Sequence, residues 1–282
     1  MDQQRAIAAV LGALDDKIEQ NRRTGRALEK LARATFKAWF VDFEPVKAKA
    51  AGATDFPGMP HAAFAALSDR LTDTPLGAVP GGWRISSIGA ELETFLGGTP
   101  SRARSEFWTD GTVPWINSGE VNKFPIINPT SLITPAALAS SSTKLIPARS
   151  TVIAITGATL GQVSILGIAA CTNQSVVSII GSKALPTEFI YPWVKENIDR
   201  LLATSTGAAQ QHVNKKDVNA LPVLCPDARL MDGYVSIVGP VFDSVLHLSA
   251  ESRKLAALRD YLLPRLLSGR VRVLQAETEV KA

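Results

Sequence analysis

The chain is expected to adopt an α+β fold in which one globular domain of mixed α/β character is flanked by two long helices that pair as an antiparallel coiled coil. Two heptad stripes and a β-rich middle segment support this reading. The first stripe runs Ile7, Leu11, Leu14, Ile18, Asn21, Gly25, Leu28, Ala32, Thr35 and Trp39, in alternating steps of four and three. The second runs Val238, Val241, Val245, Leu248, Ser252, Leu255, then Leu258 or Arg259, Leu262 and Leu266. Seams this narrow belong to coiled coils, because a globular surface helix carries a wider apolar stripe, so each seam needs another helix to cover it.

Taken in order, the first helix is predicted from about residue 4 to 40, ending before Pro45, a length on the order of 55 Å at 1.5 Å per residue. Asn21 and Ser252 interrupt the seams; a polar residue there either fixes register at some cost in stability or faces solvent where the seam frays. Residues 44–82 turn to Ala, Gly, Pro, Asp and Thr, which reads as a linker with one short helix around residues 61–67. From Trp83, β-branched runs alternate with turn residues: Val113-Pro-Trp-Ile116, Thr151-Val-Ile-Ala-Ile155, Gln162-Val-Ser-Ile165, Ser175-Val-Val-Ser-Ile-Ile180 and Leu221-Pro-Val-Leu224. Helical spacing marks residues 186–202 and 215–220. The closing helix begins near Met231 and stops at Ser268-Gly269, with Pro264 predicting a kink or break near Asp260. The boundaries are 1–43 for the first helix, 44–82 for the linker, 83–228 for the domain, 229–273 for the second helix and 274–282 for a polar, frayed tail.

With 282 residues, 46% of them hydrophobic and 20% charged, the chain is long enough to bury its own core and is not composed like a disordered one. No run approaches the roughly eighteen apolar residues of a membrane span, and the N-terminus does not read as a signal peptide, so a cytoplasmic location is the expectation. Cys171 and Cys225 form no CxxC, and His61, His212 and His247 show no ligand spacing, so no metal site is expected. The net charge of +4 permits an acidic partner. The excess sits in the helices, at Arg22, Arg23, Arg26, Lys30, Arg33 and Lys37 and at Arg253, Lys254, Arg259, Arg265, Arg270 and Arg272, whereas the middle is near balance.

Thr156-Gly-Ala-Thr-Leu-Gly161 and the Tyr191-x-x-x-Lys195 spacing imitate a short-chain dehydrogenase. The imitation fails on context, since a dinucleotide loop must open a helix and here another strand follows. No nucleophile–base set, paired carboxylates or base-methylation motif is present, so no catalytic residue is expected. What remains is a set of turn-borne polar groups suited to DNA. Gly98, Thr99, Ser101, Arg102 and Arg104 form a Gly-rich loop that can approach phosphates closely. Asn117, Ser118, Thr156, Thr159, Gln162, Asn173, Gln174 and Gln210 are amides and hydroxyls fit for base edges, and equally for local backbone hydrogen bonds. Lys215 and Lys216 are suited to phosphates. Trp108 and Trp115 read as core rather than stacking platforms.

Together these pieces resemble a known family. Leu11-Gly-Ala-Leu-Asp-Asp-Lys-Ile18 with Asn21-Arg22, Ala38-Trp-Phe-Val-Asp-Phe-Glu-Pro45 and Leu76-Gly-Ala-Val-Pro-Gly-Gly-Trp83 are similar to the conserved spacer of specificity subunits of Type I restriction–modification systems. Gly97-Gly-Thr-Pro-Ser101, Val113-Pro-Trp-Ile-Asn-Ser-Gly119, Thr156-Gly-Ala-Thr-Leu-Gly-Gln162, Thr172-Asn-Gln174 and Gly207-Ala-Ala-Gln210 resemble their target recognition domains, and residues 255–269 their second conserved helix. The common pattern has two recognition domains; this sequence holds one, like a half-subunit with a single target recognition domain or the C-terminal half of a split gene.

The resemblance implies a non-catalytic subunit that recognises one half of a bipartite site on double-stranded DNA. It also implies helices that dock methyltransferase subunits, with S-adenosylmethionine bound by that partner and none in this chain, and the restriction subunit as a further candidate partner. Pairing through Ile7, Leu11, Leu14, Ile18, Asn21 and Leu28 against Val241, Val245, Leu248, Ser252, Leu255 and Leu262 is expected, with two copies associating as a homodimer whose readers face inverted half-sites. The competing reading is a helical adaptor whose middle domain binds no DNA.

Overall fold

The computed structural model describes residues 2–203 and 213–273. Gln210 and the 274–282 tail lie outside the described residues. In chain order the elements are α1 (Asp2–Phe40), α2 (Glu44–Ala50), α3 (His61–Ala65), β1 (Leu71–Thr74), β2 (Gly77–Pro80), β3 (Arg84–Ser87), α4 (Ile88–Glu91), β4 (Glu93–Leu96), β5 (Val113–Ile116), β6 (Ser131–Ile133), α5 (Pro135–Ser140), β7 (Thr151–Ala154), β8 (Val163–Ile165), β9 (Cys171–Thr172), β10 (Val176–Ile180), α6 (Thr187–Glu196), α7 (Ile198–Ala203), α8 (Lys215–Ala220), β11 (Pro222–Cys225) and α9 (Ala228–Leu267). Single 3-10 turns occupy Ser105–Phe107, Ser118–Glu120 and Gly157–Thr159. The chain divides into two compact units, Met1–Lys30 with Asp243–Ala282, and Leu31–Phe242.

In the first unit the two long helices run antiparallel: Arg259 Nη1 donates to Asp15 Oδ1 at 2.7 Å, Asn21 Nδ2 donates to Glu251 Oε2 at 2.7 Å, and Thr24 and Leu28 share a groove with Ser244, His247 and Leu248. Every described seam position of α1 in this unit is at least half-covered, and Ile18 and Asn21 are buried. On α9, Val245, Leu248, Ser252, Leu255 and Leu262 are covered likewise, and the ambiguity at 258/259 resolves to Arg259, because Leu258 points outward at 45% exposure. Asn21 therefore sits inside the seam and not at a frayed edge. Ser252 turns its hydroxyl to its own helix, donating to Leu248 O at 2.8 Å.

In the second unit a four-stranded antiparallel sheet, β4-β10-β7-β8, packs beside a three-stranded mixed sheet, β6-β5-β9, in which β5 and β9 are parallel. Ile116, Ile126, Ile146, Val152, Ala154 and Val176 fill the space with Leu166. A second core forms where the C-terminal turns of α1 meet α6 and α9. Phe40 lies edge-on to both Phe189 and Tyr234, with ring centroids 4.9 Å apart in each case, and Phe36, Trp39 and Trp83 complete the ring. Offset and edge contacts of this kind add to the burial of large rings. This packing accounts for the aromatic spacing of the Trp39–Phe40–Phe43 motif and of Trp83.

Two expectations change. The short helix expected around residues 61–67 is present as α3, but the rest of 44–82 is not a plain linker: it forms α2 and the β1–β2 hairpin, with Val46, Met59, Ala63, Phe64 and Val79 buried. Among the small residues that suggested flexibility, Ala63 permits close approach, since a Cβ on Gly233 of α9 would lie 2.5 Å from its Cβ, whereas Gly52, Gly58, Gly77 and Gly82 supply positive φ in open turns. Pro45 opens α2 at its first turn, where a missing N–H is tolerated, and Lys49 Nζ caps the end of α3 through Ala65 O at 2.9 Å and Leu67 O at 2.6 Å. The other change concerns Pro264, which does not break α9. The helix continues to Leu267 and then closes at Gly269, whose φ of 70° supplies the left-handed stop.

Candidate nucleic-acid interface

Strand register decides where the loops emerge. In the larger sheet Leu96 of β4 pairs Val177 of β10, and Val176 pairs Ala154 of β7; in the smaller, Ile116 of β5 pairs Thr172 of β9. The loop after β4 (97–104), the turn after β5 (117–120), the β7–β8 turn (155–162) and the β9–β10 turn (173–175) therefore share one edge. Backbone hydrogen bonds stitch them together: Gly97 N to Val176 O at 3.0 Å, Gly98 N to Thr172 O at 2.8 Å, Asn173 N to Ile116 O at 3.0 Å and Ile155 N to Ser175 O at 2.9 Å. Val213 N donates to Ile155 O at 3.2 Å, which brings the first turn of α8, with Lys215 and Lys216, to the same edge. All the described polar candidates from the sequence are thus gathered in one place.

Their local chemistry differs. Gly98 is buried, so it is not itself a surface contact; a Cβ there would lie 2.4 Å from Ser142 Oγ, and one on Gly97 would lie 2.1 Å from Asn173 O. Gly97 is accounted for by close packing against Thr172 and Asn173, and Gly98 by close packing against Ser142 and Thr143. Asn117 Oδ1 accepts from Gly119 N at 2.8 Å and Asn173 Oδ1 accepts from Ser175 N at 3.2 Å, so these amides shape their own turns, the local alternative to base reading. Thr99 Oγ1 donates to Gln174 Oε1, joining two loops. Thr156 and Thr159 are half-buried in the β7–β8 turn, Ser118 is half-buried in the turn after β5, and Gln162 and Ser101 are exposed.

The cations of the edge fall into two classes. Arg104 is already engaged, with Nε donating to Glu106 Oε1 at 2.7 Å and its guanidinium 4.2 Å from the centre of the Phe107 ring; the same hydrogen bond holds the Glu106 carboxyl below its usual range. Arg102, Lys215 and Lys216 carry no ion pair among the described residues, and neither does Lys144, which follows Ser142 and Thr143 beside Gly98. Sequence reading did not single out Lys144, because its neighbourhood depends on the contact of Thr143 Oγ1 with Thr172 O at 3.3 Å. It placed Trp108 in the core; Trp108 does pack, half-buried, against the core of Phe107, Trp115 and Ile133, and in addition holds the Arg102 guanidinium 3.5 Å from its ring centre.

The dehydrogenase-like pieces are separate. The Thr156–Gly161 stretch is a turn between antiparallel β7 and β8, and Lys195 Nζ donates to Tyr191 OH at 2.9 Å within α6, the buried Tyr191 ring stacking on Phe124. No group of ligand side chains that could hold a metal ion occurs among the described residues, and no helix among them is long and apolar enough to cross a membrane.

Comparison with known proteins agrees with this geometry. The model of the Type I restriction modification DNA specificity domain matches residues 80–229, which include every loop of the edge. The chain is 29% identical to the Type I restriction enzyme HindI specificity subunit of Haemophilus influenzae, covering 95% of this chain and 67% of that protein. It is 25% identical to the MjaIX specificity subunit of Methanocaldococcus jannaschii, covering 96% and 59% respectively. The fold is similar to the crystal structure of the Type-I restriction-modification system S subunit from M. genitalium, with a TM-score of 0.59 at 14% identity over 94% of this chain and 61% of that one. The chain thus spans about three fifths to two thirds of these relatives' lengths. On the family match over more than half its length, the chain belongs to the Type I restriction modification DNA specificity domain family.

Proposed function

We propose that this chain is a DNA-recognition subunit of a Type I restriction–modification system, and that the strand-end edge reads one half of a bipartite site. The observation that carries this is the convergence of four loops and the α8 first turn, with the cations Arg102, Lys144, Lys215 and Lys216, which have no ion-pair partner among the described residues, inside the segment that matches the family. Overall charge is modest, so binding depends on this local cluster. Phosphate contacts supply most of the affinity and fix register, and base-edge contacts supply the choice of sequence.

The chain's own contribution is recognition. Methyl transfer and the S-adenosylmethionine it requires belong, in this proposal, to methyltransferase subunits docked on the paired helices. A second copy associates through the same helices and carries a second reader at a fixed remove, with half-sites inverted by the two-fold symmetry. The outward-facing Leu258, Tyr261, Leu263 and Leu267 of α9 offer apolar surface for such packing.

A salt titration of duplex binding by the complete chain, with and without a methyltransferase partner, tests the proposal. The slope of log affinity against log salt is expected to fall by about one when either Lys215 or Lys216 is replaced by Ala. Unchanged slopes, or no binding in either condition, would favour the adaptor reading.

A further inference from the structure

We infer that Arg102 is the residue of this edge that reads guanine in the major groove, and that Trp108 is a positioning residue that aims it; the inference rests on the DNA-recognition reading above. Arg102 sits in a corner made by two perpendicular indoles. Its guanidinium carbon lies 3.5 Å from the Trp108 ring centre and 5.1 Å from that of Trp115, and the two rings meet at 87°. Both indoles are tied to the loop that carries the arginine. Trp115 Nε1 donates to Gly98 O and Trp108 Nε1 to Ser101 O, each at 3.1 Å, so the chain is clamped on the N-terminal side of Arg102.

An arginine held against an aromatic face gives up part of its rotamer freedom before any ligand arrives. The indole, lacking acceptor atoms on its face, leaves the guanidinium donors unspent. That combination is what bidentate recognition of guanine N7 and O6 demands, a fork of donors in a fixed direction.

The neighbours do not compete for the role. Arg104 is neutralised by Glu106, Asn117 and Asn173 hold their own turns, and Gln174 accepts from Thr99. Lys144, Lys215 and Lys216 are point charges on flexible stems, which suit phosphate more than a base edge. Arg102 is exposed, so the clamp is built without burying its charge.

Selection of bound duplexes from a random pool by the complete chain, followed by sequencing, tests this. The variants are Arg102→Ala, Arg102→Lys, Trp108→Ala, Trp108→Phe and the double replacement of both residues by Ala. The wild type is expected to enrich a motif with a fixed guanine. Arg102→Ala and Arg102→Lys are expected to lose preference at that guanine alone, by about five- to a hundredfold. Trp108→Ala is expected to weaken the same preference by about two- to tenfold, the cost of ordering a freed side chain, and Trp108→Phe by less. Adding Trp108→Ala to Arg102→Ala is expected to change nothing further at that position.

An even loss over all sequences in Arg102→Ala assigns the arginine to phosphate and overturns the inference, as does an unchanged guanine preference. A further loss at that position in the double variant overturns the positioning role of Trp108. Arg102→Lys, a change on an exposed side chain, keeps the test decisive if Trp108→Ala fails to fold. A wild-type chain that enriches no motif, either alone or with a methyltransferase partner, overturns the DNA reading itself, whereas a motif indifferent to Arg102 overturns only this inference.

Discussion

Asn21 Nδ2 donates to Glu251 Oε2 at 2.7 Å across the paired helices, while Asn21 Oδ1 is buried without a partner among the described residues. A buried amide satisfied on one side only costs stability, about 1–3 kcal/mol for an unpaired acceptor, and such a residue in a coiled-coil seam selects one register over its neighbours. Asn21→Leu is therefore expected to raise stability by about 1 kcal/mol in urea unfolding while loosening the pairing. Register is read by disulfide formation: Asp15→Cys with Arg259→Cys reports the native register, and Asp15→Cys with Leu266→Cys a register one heptad away. The off-register disulfide is expected to gain in the Asn21→Leu background. Lower stability with an unchanged disulfide pattern would contradict this role.

The loop after β4 depends on two glycines without side chains to accommodate. Gly97→Ala would place its methyl 2.1 Å from Asn173 O and 2.5 Å from Thr172 O, both backbone atoms that cannot rotate away. Overpacking of this kind costs about 1–3 kcal/mol and shifts the backbone. Thermal unfolding of Gly97→Ala is expected to show that loss, together with weakened DNA binding, since the loop is displaced from the β9–β10 turn.

Phe40 is 1% exposed and packs edge-on to Phe189 and Tyr234. Phe40→Ala removes the centre of the aromatic core and is expected to cost about 3–5 kcal/mol in denaturant unfolding. Phe40→Leu, which keeps much of the volume, is expected to cost less. Equal losses in the two variants would mean that ring geometry, and not filled volume, dominates.

Arg84 and Glu91 form a two-pronged ion pair, with Nη1 to Oε1 at 2.6 Å and Nη2 to Oε2 at 2.9 Å. The Arg84 hydrogen bonds hold the Glu91 carboxyl at about 2, down from its usual 4.5. A carboxyl depressed on folding contributes stability above its unfolded value and loses it as pH falls through the folded one. The contribution is therefore expected to be intact above about pH 4.5 and to fade towards pH 2, modestly, because the pair faces solvent. Glu91→Gln is expected to flatten this part of the curve of melting temperature against pH; an unchanged acid limb would remove the pair from the account.

Much of this fold can be read from residue pattern. The heptad stripes located both long helices, and the β-branched runs at 113–116, 151–155 and 175–180 lie on β5, β7 and β10 within a residue. Within residues 44–82 the short helix α3 was legible, but α2 and the β1–β2 hairpin escaped, because Ala that packs closely, as Ala63 does against Gly233, and Gly at positive φ, as at Gly77, look the same in sequence as a linker. The choice between Leu258 and Arg259 was open because the heptad drifts on a straight helix, and burial alone resolved it.

The edge itself was legible as separate turn motifs. Their convergence was not, because it depends on register, notably on parallel β5 and β9, where Trp115 pairs with Cys171 and Ile116 with Thr172, residues 56 positions apart in the sequence. The contact of Trp108 with Arg102 escaped for a related reason: an indole that packs on the core with one face and on an arginine with the other has the same sequence signature as an ordinary core residue.

The most direct measurement of the central claim is amide hydrogen exchange on the complete chain, with and without excess random-sequence duplex at low ionic strength. Slowed exchange is expected in peptides covering 97–104, 117–120, 155–162 and 173–175, and not in the β1–β2 hairpin. Slowing confined to the hairpin or to the long helices, or absent throughout, would contradict the assignment of DNA recognition to this edge.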